Sequence, residues 1–255
     1  MGAVTPTPRR VPALNGFRWI FGGFTLVFHS PFGWLKVTTL WFLFSLFCGV
    51  IPLMGPLVFS LLFPTLFAGL MTGCQAVEAG RSLTIQHLLN GFRQKPIQPY
   101  ITLGGFNVLG ELLITALLVI WVGPHMAELQ SLSSIPDAVS PEQAQTFIDT
   151  FTPIFLGIAV LEMLLLVLFL YAPALLIFHS TPPVQSLLTS GKACMINTPA
   201  FIANGVGLAA LVVPTAFVSF RVPLLGALLV TVLAPTIAAS VYVSYRDIFK
   251  PHETI

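Results

Sequence analysis

Six stretches of the chain stay apolar for about the 20 residues that a helix needs to cross a bilayer: 34–54, 57–77, 101–122, 153–178, 200–220 and 224–245. Ahead of each pair lies a shorter stretch in which polar and apolar positions recur at helical spacing. In the first, Asn15, Arg18, Gly22, Thr25 and His29 form a polar stripe, and Phe17, Ile20, Phe21, Phe24 and Phe28 lie opposite. One greasy face and one polar face predict a helix lying on the membrane surface, ended by Pro31, which cannot continue the hydrogen-bond ladder. The second, 82–99, sets Ile85, Leu88, Leu89 and Phe92 against Gln86, His87, Asn90, Arg93 and Gln94, with Ser82 as the expected N-cap. The third, 181–199, turns Val184, Leu187, Leu188 and Met195 to one side, with Thr181 as cap and Pro182 at the first helical position. The pattern predicts an all-α polytopic membrane bundle of six transmembrane helices plus amphipathic interfacial helices.

The pattern also repeats. Residues 51–69, IPLMGPLVFSLLFPTLFAG, and 222–240, VPLLGALLVTVLAPTIAAS, are identical at eight of 19 ungapped positions, including both prolines and the glycine between them. Each amphipathic stretch holds a glycine eight residues before a proline: Gly23 and Pro31, Gly91 and Pro99, Gly191 and Pro199. Pro173, in Tyr-Ala-Pro-Ala-Leu at 171–175, falls in the fourth span where Pro64 and Pro235 fall in the second and sixth. One integral membrane domain is expected over 1–255, made of three units of surface helix, span, span at about 14–80, 81–179 and 180–249. All three run in the same direction, so the repeat is parallel. The middle unit carries an external loop, 123–152, in which Ser140-Pro141-Glu142-Gln143 resembles a capped helix start.

Composition agrees with this picture and charge orients it. The chain is 56% hydrophobic and 8% charged, about a third of the charge of a soluble domain, with a mean hydropathy of +0.91. Of the 11 basic residues, Arg9, Arg10, Arg18, Lys36, Arg81, Arg93, Lys95, Lys192, Arg246 and Lys250 fall on one side of a six-span chain and only Arg221 on the other. The positive-inside rule makes the crowded side, with both termini, cytoplasmic. The residues before the first span offer no signal peptide. A net charge of +2 without a basic-aromatic groove points away from nucleic acid as a partner; membrane lipid, and a membrane protein partner, are the expected contacts.

Little in the sequence carries reaction chemistry. The five histidines form no two-His pattern on a helix face, and Cys48, Cys74 and Cys194 lack metal-type spacing. No phosphate loop or nucleophile elbow is present, so no enzyme, cofactor or metal is expected. The candidate polar site is intramembrane. Glu111 in the third span and Glu162 in the fourth are acidic at a depth where a carboxyl costs a few kcal/mol unless paired, protonated or beside water. Asn107, one turn before Glu111, is its expected partner, and Arg221, the lone external base, is a candidate partner for Glu162. Pro64, Pro173 and Pro235 are expected to kink their spans, each freeing a carbonyl one turn earlier that a neighbour must satisfy.

Tyr242-Val-Ser-Tyr245-Arg246-Asp247-Ile248-Phe249, with Tyr-Ala-Pro-Ala-Leu at 171–175, Gly91-Phe92-Arg93 and Gly16-Phe17-Arg18-Trp19, resembles an uncharacterised family of proteobacterial six-span inner-membrane proteins. The resemblance implies a location and an architecture but no reaction. The first functional expectation is a non-enzymatic scaffold or accessory factor, using its basic helices against anionic lipid or a partner. The alternative is a small transporter or channel with Glu111 and Glu162 near the path. A polar cavity reaching both carboxyls favours the second, a solid apolar centre the first.

Overall fold

The structure, a computed structural model, describes residues 6–127 and 141–249, and every regular element among them is helical. Helix α1 (Asn15–His29) leads into α2 (Pro31–Val50) and α3 (Met54–Glu78). Two single turns, α4 (Ile85–Leu88) and α5 (Asn90–Arg93), precede α6 (Gln98–Val122). The fourth crossing is made by α7 (Pro141–Phe169) and α8 (Ala172–His179), and α9 (Pro183–Ile196) precedes α10 (Thr198–Arg221) and α11 (Pro223–Phe249). Among the described residues six segments are long and apolar enough to span a membrane, each overlapping one of the six stretches in the sequence pattern. The expected loop at 123–152 is shorter than its bounds, because a 3-10 turn at Gly123–His125 and the first turns of α7 occupy its ends. Residues 128–140, including the Ser140 cap, lie outside the described residues.

Helices in lipid gain nothing from turning their greasiest side inward, because the tails outside are as apolar as the core; close backbone approach through small residues decides the packed face. The packed face of α1 follows this rule. Its buried side is Gly16, Trp19, Ile20, Gly23, Leu26 and Val27, while Phe17, Phe21 and Phe28 are exposed. A Cβ on Gly16 would stand 2.1 Å from the Ala200 carbonyl oxygen, and one on Gly23 would stand 2.6 Å from that of Thr236. Helix α1 therefore lies against α10 and α11 as a packed member of the bundle. The same logic governs α9, which buries Ser186, Ser190, Gly191, Ala193 and Cys194 and exposes Val184, Leu188 and Met195. Burial pushes the Cys194 thiol up to about 12, so it stays a neutral packing group.

The second amphipathic stretch is two turns rather than one helix, and its cap is Thr84, not Ser82. Thr84 and His87 form a reciprocal capping box, with the Thr84 N–H donating to His87 Nδ1 at 3.0 Å. Thr181 does not cap α9, which begins one residue later than expected, at Pro183; Thr181 is instead fully buried. Helices α4 and α5 pack on α3, α9 on α7 and α8, and α1 on α11. The position a Cβ would take on Gly91 lies 2.2 Å from the Thr65 carbonyl oxygen, so Gly91 and Gly23 both meet the residue following a span proline. Gly191 instead faces the Leu168 side chain, at 3.3 Å.

The first and last described segments meet at one end of the bundle, with Trp19, Tyr171, Tyr242, Arg246 and Asp247 of the sequence resemblance among the contacts there. The Asp247 carboxylate accepts from Arg9 Nη2 at 3.0 Å, Asn15 Nδ2 at 2.8 Å and Trp19 Nε1 at 2.9 Å. Glu78, at the end of α3, pairs with Arg246 and accepts from the Tyr242 hydroxyl. The Tyr171 hydroxyl, from the fourth crossing, donates to Ser244 Oγ at 2.8 Å. Four segments distant in sequence are tied at this terminal end by partly or fully buried polar contacts.

A methyl group tests the glycine approaches directly. Gly91→Ala must push the α3 backbone at Thr65 aside, an overpacking cost of about 1–3 kcal/mol, and is expected to lower the melting temperature in detergent by several degrees. Gly105→Ala, with nothing within 4 Å of the added carbon, is expected to leave it unchanged.

Candidate functional site

The site begins at a proline. In a continuous helix the Ser60 carbonyl would accept from the N–H of residue 64, but residue 64 is proline and has none. Asn107 of α6 supplies the missing donor: its Nδ2 reaches Ser60 O at 3.0 Å and Ser60 Oγ at 2.7 Å. Both residues are buried. The approach is close because α6 presents Gly104 to α3, where a Cβ would stand 2.0 Å from the Leu61 carbonyl oxygen. The hydrogen bond between Asn107 and Glu111 expected from helical spacing is not formed, since the amide is spent on α3.

The other two prolines behave differently. Pro235 is buried inside α11, as Pro64 is inside α3. Pro173 does not interrupt a continuous helix; the fourth crossing breaks at Leu170 and Tyr171, and Pro173 sits in the first turn of α8, where its missing N–H would be unpaired in any case. Ser190 of α9 spans the break. Its hydroxyl donates to Val167 O at 2.8 Å and accepts from the Tyr171 N–H at 3.0 Å, standing inside what would be one i to i+4 helix bond. Sequence reasoning missed Ser190, and the signal available was a serine one residue before the glycine of its stretch.

Beside the Asn107 contact, α2, α3, α6 and α7 border a half-open cavity of about 510 Å³ lined by Asn107, Glu111 and Glu162. Ser45, Ser60 and Thr115 add hydroxyls, and Phe59, Phe63 and Phe169 add aromatic wall. Glu111 is half-buried and Glu162 exposed. Among the described residues neither carboxyl has a hydrogen-bond or ion-pair partner. No Lys or Arg lines the cavity, so two acidic groups share a space without a protein cation.

A second cavity, about 340 Å³, lies between α2, α3, α7 and α11. It is apolar and aromatic, with Trp34, Trp41 and Phe67 among its walls, and Pro235 lines it too. The two cavities share Phe63, Leu166 and Phe169, which form the wall between them. Three of the four candidate polar residues are thus brought together, and Arg221 is not. Arg221 is exposed at the end of α10, its guanidinium 5.4 Å from the centre of the Phe217 ring, and it lines neither cavity. The expected Arg221–Glu162 pair is absent because α10 does not pack closely against α7. Among the described residues no group of three His, Cys, Asp or Glu could hold a metal ion.

Comparison with known proteins agrees with the architecture. The chain is similar to a probable inner membrane protein of Burkholderia thailandensis, 26% identical over 198 residues that cover 76% of this chain and 72% of that protein. No family model matches the chain, and no solved structure matches it. With six membrane-length helices already described, that similarity decides the location. The chain is an integral, multi-pass inner-membrane protein. Both carboxyls lie on helices long and apolar enough to cross that membrane.

The proline–asparagine contact has a clean test. Asn107→Ala leaves the Ser60 carbonyl and hydroxyl unpaired, a loss of about 1–3 kcal/mol. In a Pro64→Ala background, where residue 64 regains its N–H, the same change is expected to cost much less. Thermal stability of the four proteins of this cycle reads the coupling, and equal losses in both backgrounds would show that Asn107 does not stand in for the missing donor.

Proposed function

We propose that the protein moves a small solute across the inner membrane, with the cavity at Glu111 and Glu162 as its binding site. One observation carries this reading: about 510 Å³ of space at membrane depth, bordered by both intramembrane carboxyls. A carboxyl in a span costs a few kcal/mol, and spans that retain one commonly use it on an ion or substrate path. A purely structural bundle gains nothing from two such groups facing a void. The volume falls within the range of about 300–1,000 Å³ common for small-molecule sites, and no part of the reading requires a reaction at the site.

The scaffold reading keeps one observation of its own. Arg18, Arg93, Lys95 and Lys192 are all exposed and belong to the elements grouped toward the terminal end, where each adds about 1 kcal/mol of attraction to anionic headgroups. We take this surface as the cytoplasmic lipid contact of the same protein, a reading that puts both termini inside. With Cys48, Cys74 and Cys194 replaced, single cysteines at Glu142 and Gln185 are expected to react from opposite faces of sealed vesicles. Labelling of Glu142→Cys from the cytoplasmic face would reverse the orientation.

Transport itself is tested by loss. Cells expressing Glu111→Gln or Glu162→Gln at wild-type level are expected to lose the difference in solute accumulation, measured by comparative metabolite profiling, that separates wild-type cells from cells lacking the protein. Profiles identical to wild type in both variants would remove the carboxyls from the function and favour the scaffold.

A further inference from the structure

We infer that the two cavities form one bipartite site for a cationic amphiphile, an alkylammonium-type molecule whose head sits between Glu111 and Glu162 and whose tail lies in the aromatic cavity behind Phe63. This rests on reading the carboxyl cavity as a solute site, but not on turnover. Charge selects the head. Two carboxyls share the first cavity, no Lys or Arg lines either cavity, and like charges held together in a poorly solvated space favour a proton or a bound cation.

The remaining walls select what kind of cation. A hard metal ion asks for six or more oxygen ligands, whereas much of the lining here is Phe and Leu. Aromatic faces beside carboxylates suit an organic ammonium, which is held by ring quadrupoles as well as by charge. The second cavity supplies what a small ammonium would leave unused. It holds about 340 Å³ of apolar space sharing Phe63, Leu166 and Phe169 with the first, so a chain passing those side chains buries its length while the head stays at the carboxyls. The exposure of Glu162 leaves the head a lateral way in from the bilayer, where such a molecule already resides.

The test uses the full chain in phosphatidylcholine nanodiscs and 12-bromododecyltrimethylammonium, whose bromine quenches tryptophan on contact. Trp34 and Trp41 line the tail cavity, so saturable quenching beyond that given by neutral 12-bromododecanol is expected. The excess should shrink in Trp41→Phe, and its midpoint should weaken at least tenfold in Glu111→Gln/Glu162→Gln. Equal quenching by cation and alcohol in the wild-type protein would overturn the inference without reliance on any variant. So would an excess that ignores the carboxyl substitutions. Transport is scored separately: carboxyl-dependent solute changes in cells with no cation-specific quenching would keep the transport reading and sink this one. Cation-specific quenching with unchanged cellular solutes would do the reverse.

Discussion

A backbone carbonyl inside a bilayer must find a donor within the protein, because there is no water to supply one. Pro64 withdraws the donor that Ser60 would have had, and Asn107 of the next span replaces it at 3.0 Å. The consequences spread along α6. Once Asn107 is fixed on α3, Glu111 lies one turn further on the same side of α6 and is turned toward the space that α2, α3 and α7 leave open. The Asn107 contact and the placing of Glu111 thus both follow from one missing N–H. At the fourth crossing Ser190 answers the same demand by another route, lending its hydroxyl to both halves of a broken helix bond.

The bundle separates this polar interior from a second polar layer at the terminal end. There Asp247 and Glu78 gather Arg9, Asn15, Trp19, Tyr242 and Arg246. Between the layers lies the apolar cavity walled by Trp34, Trp41 and Phe67.

Much of this was legible in the sequence, for identifiable reasons. Spans are set by length and apolarity, and both are visible without coordinates. The demand created by Pro64, and the rarity of Glu111 and Glu162 at their depth, follow from the chemistry of hydrocarbon alone. What was not legible was direction. The greasy side of α1 was legible as a lipid-facing one, but nothing in the pattern said that Gly16 and Gly23 would pack against α10 and α11. Asn107 has two chemically sensible partners, Glu111 one turn away and Ser60 on α3, and only packing distinguishes them. Arg221 was matched to Glu162 by charge, whereas the distance between α10 and α7 is a property of the assembled bundle. The role of Ser190 depends on a break two residues before Pro173, and proline's presence alone does not say whether a helix will bend or stop.

The central claim is that Glu111 and Glu162 face one shared space while Arg221 stands apart from it. In a chain lacking Cys48, Cys74 and Cys194, the pair Glu111→Cys and Glu162→Cys should be bridged within one molecule by a short bifunctional thiol reagent, as read by intact mass. The pair Arg221→Cys and Glu162→Cys should not. A bridge in the second pair and none in the first would contradict the account at its base.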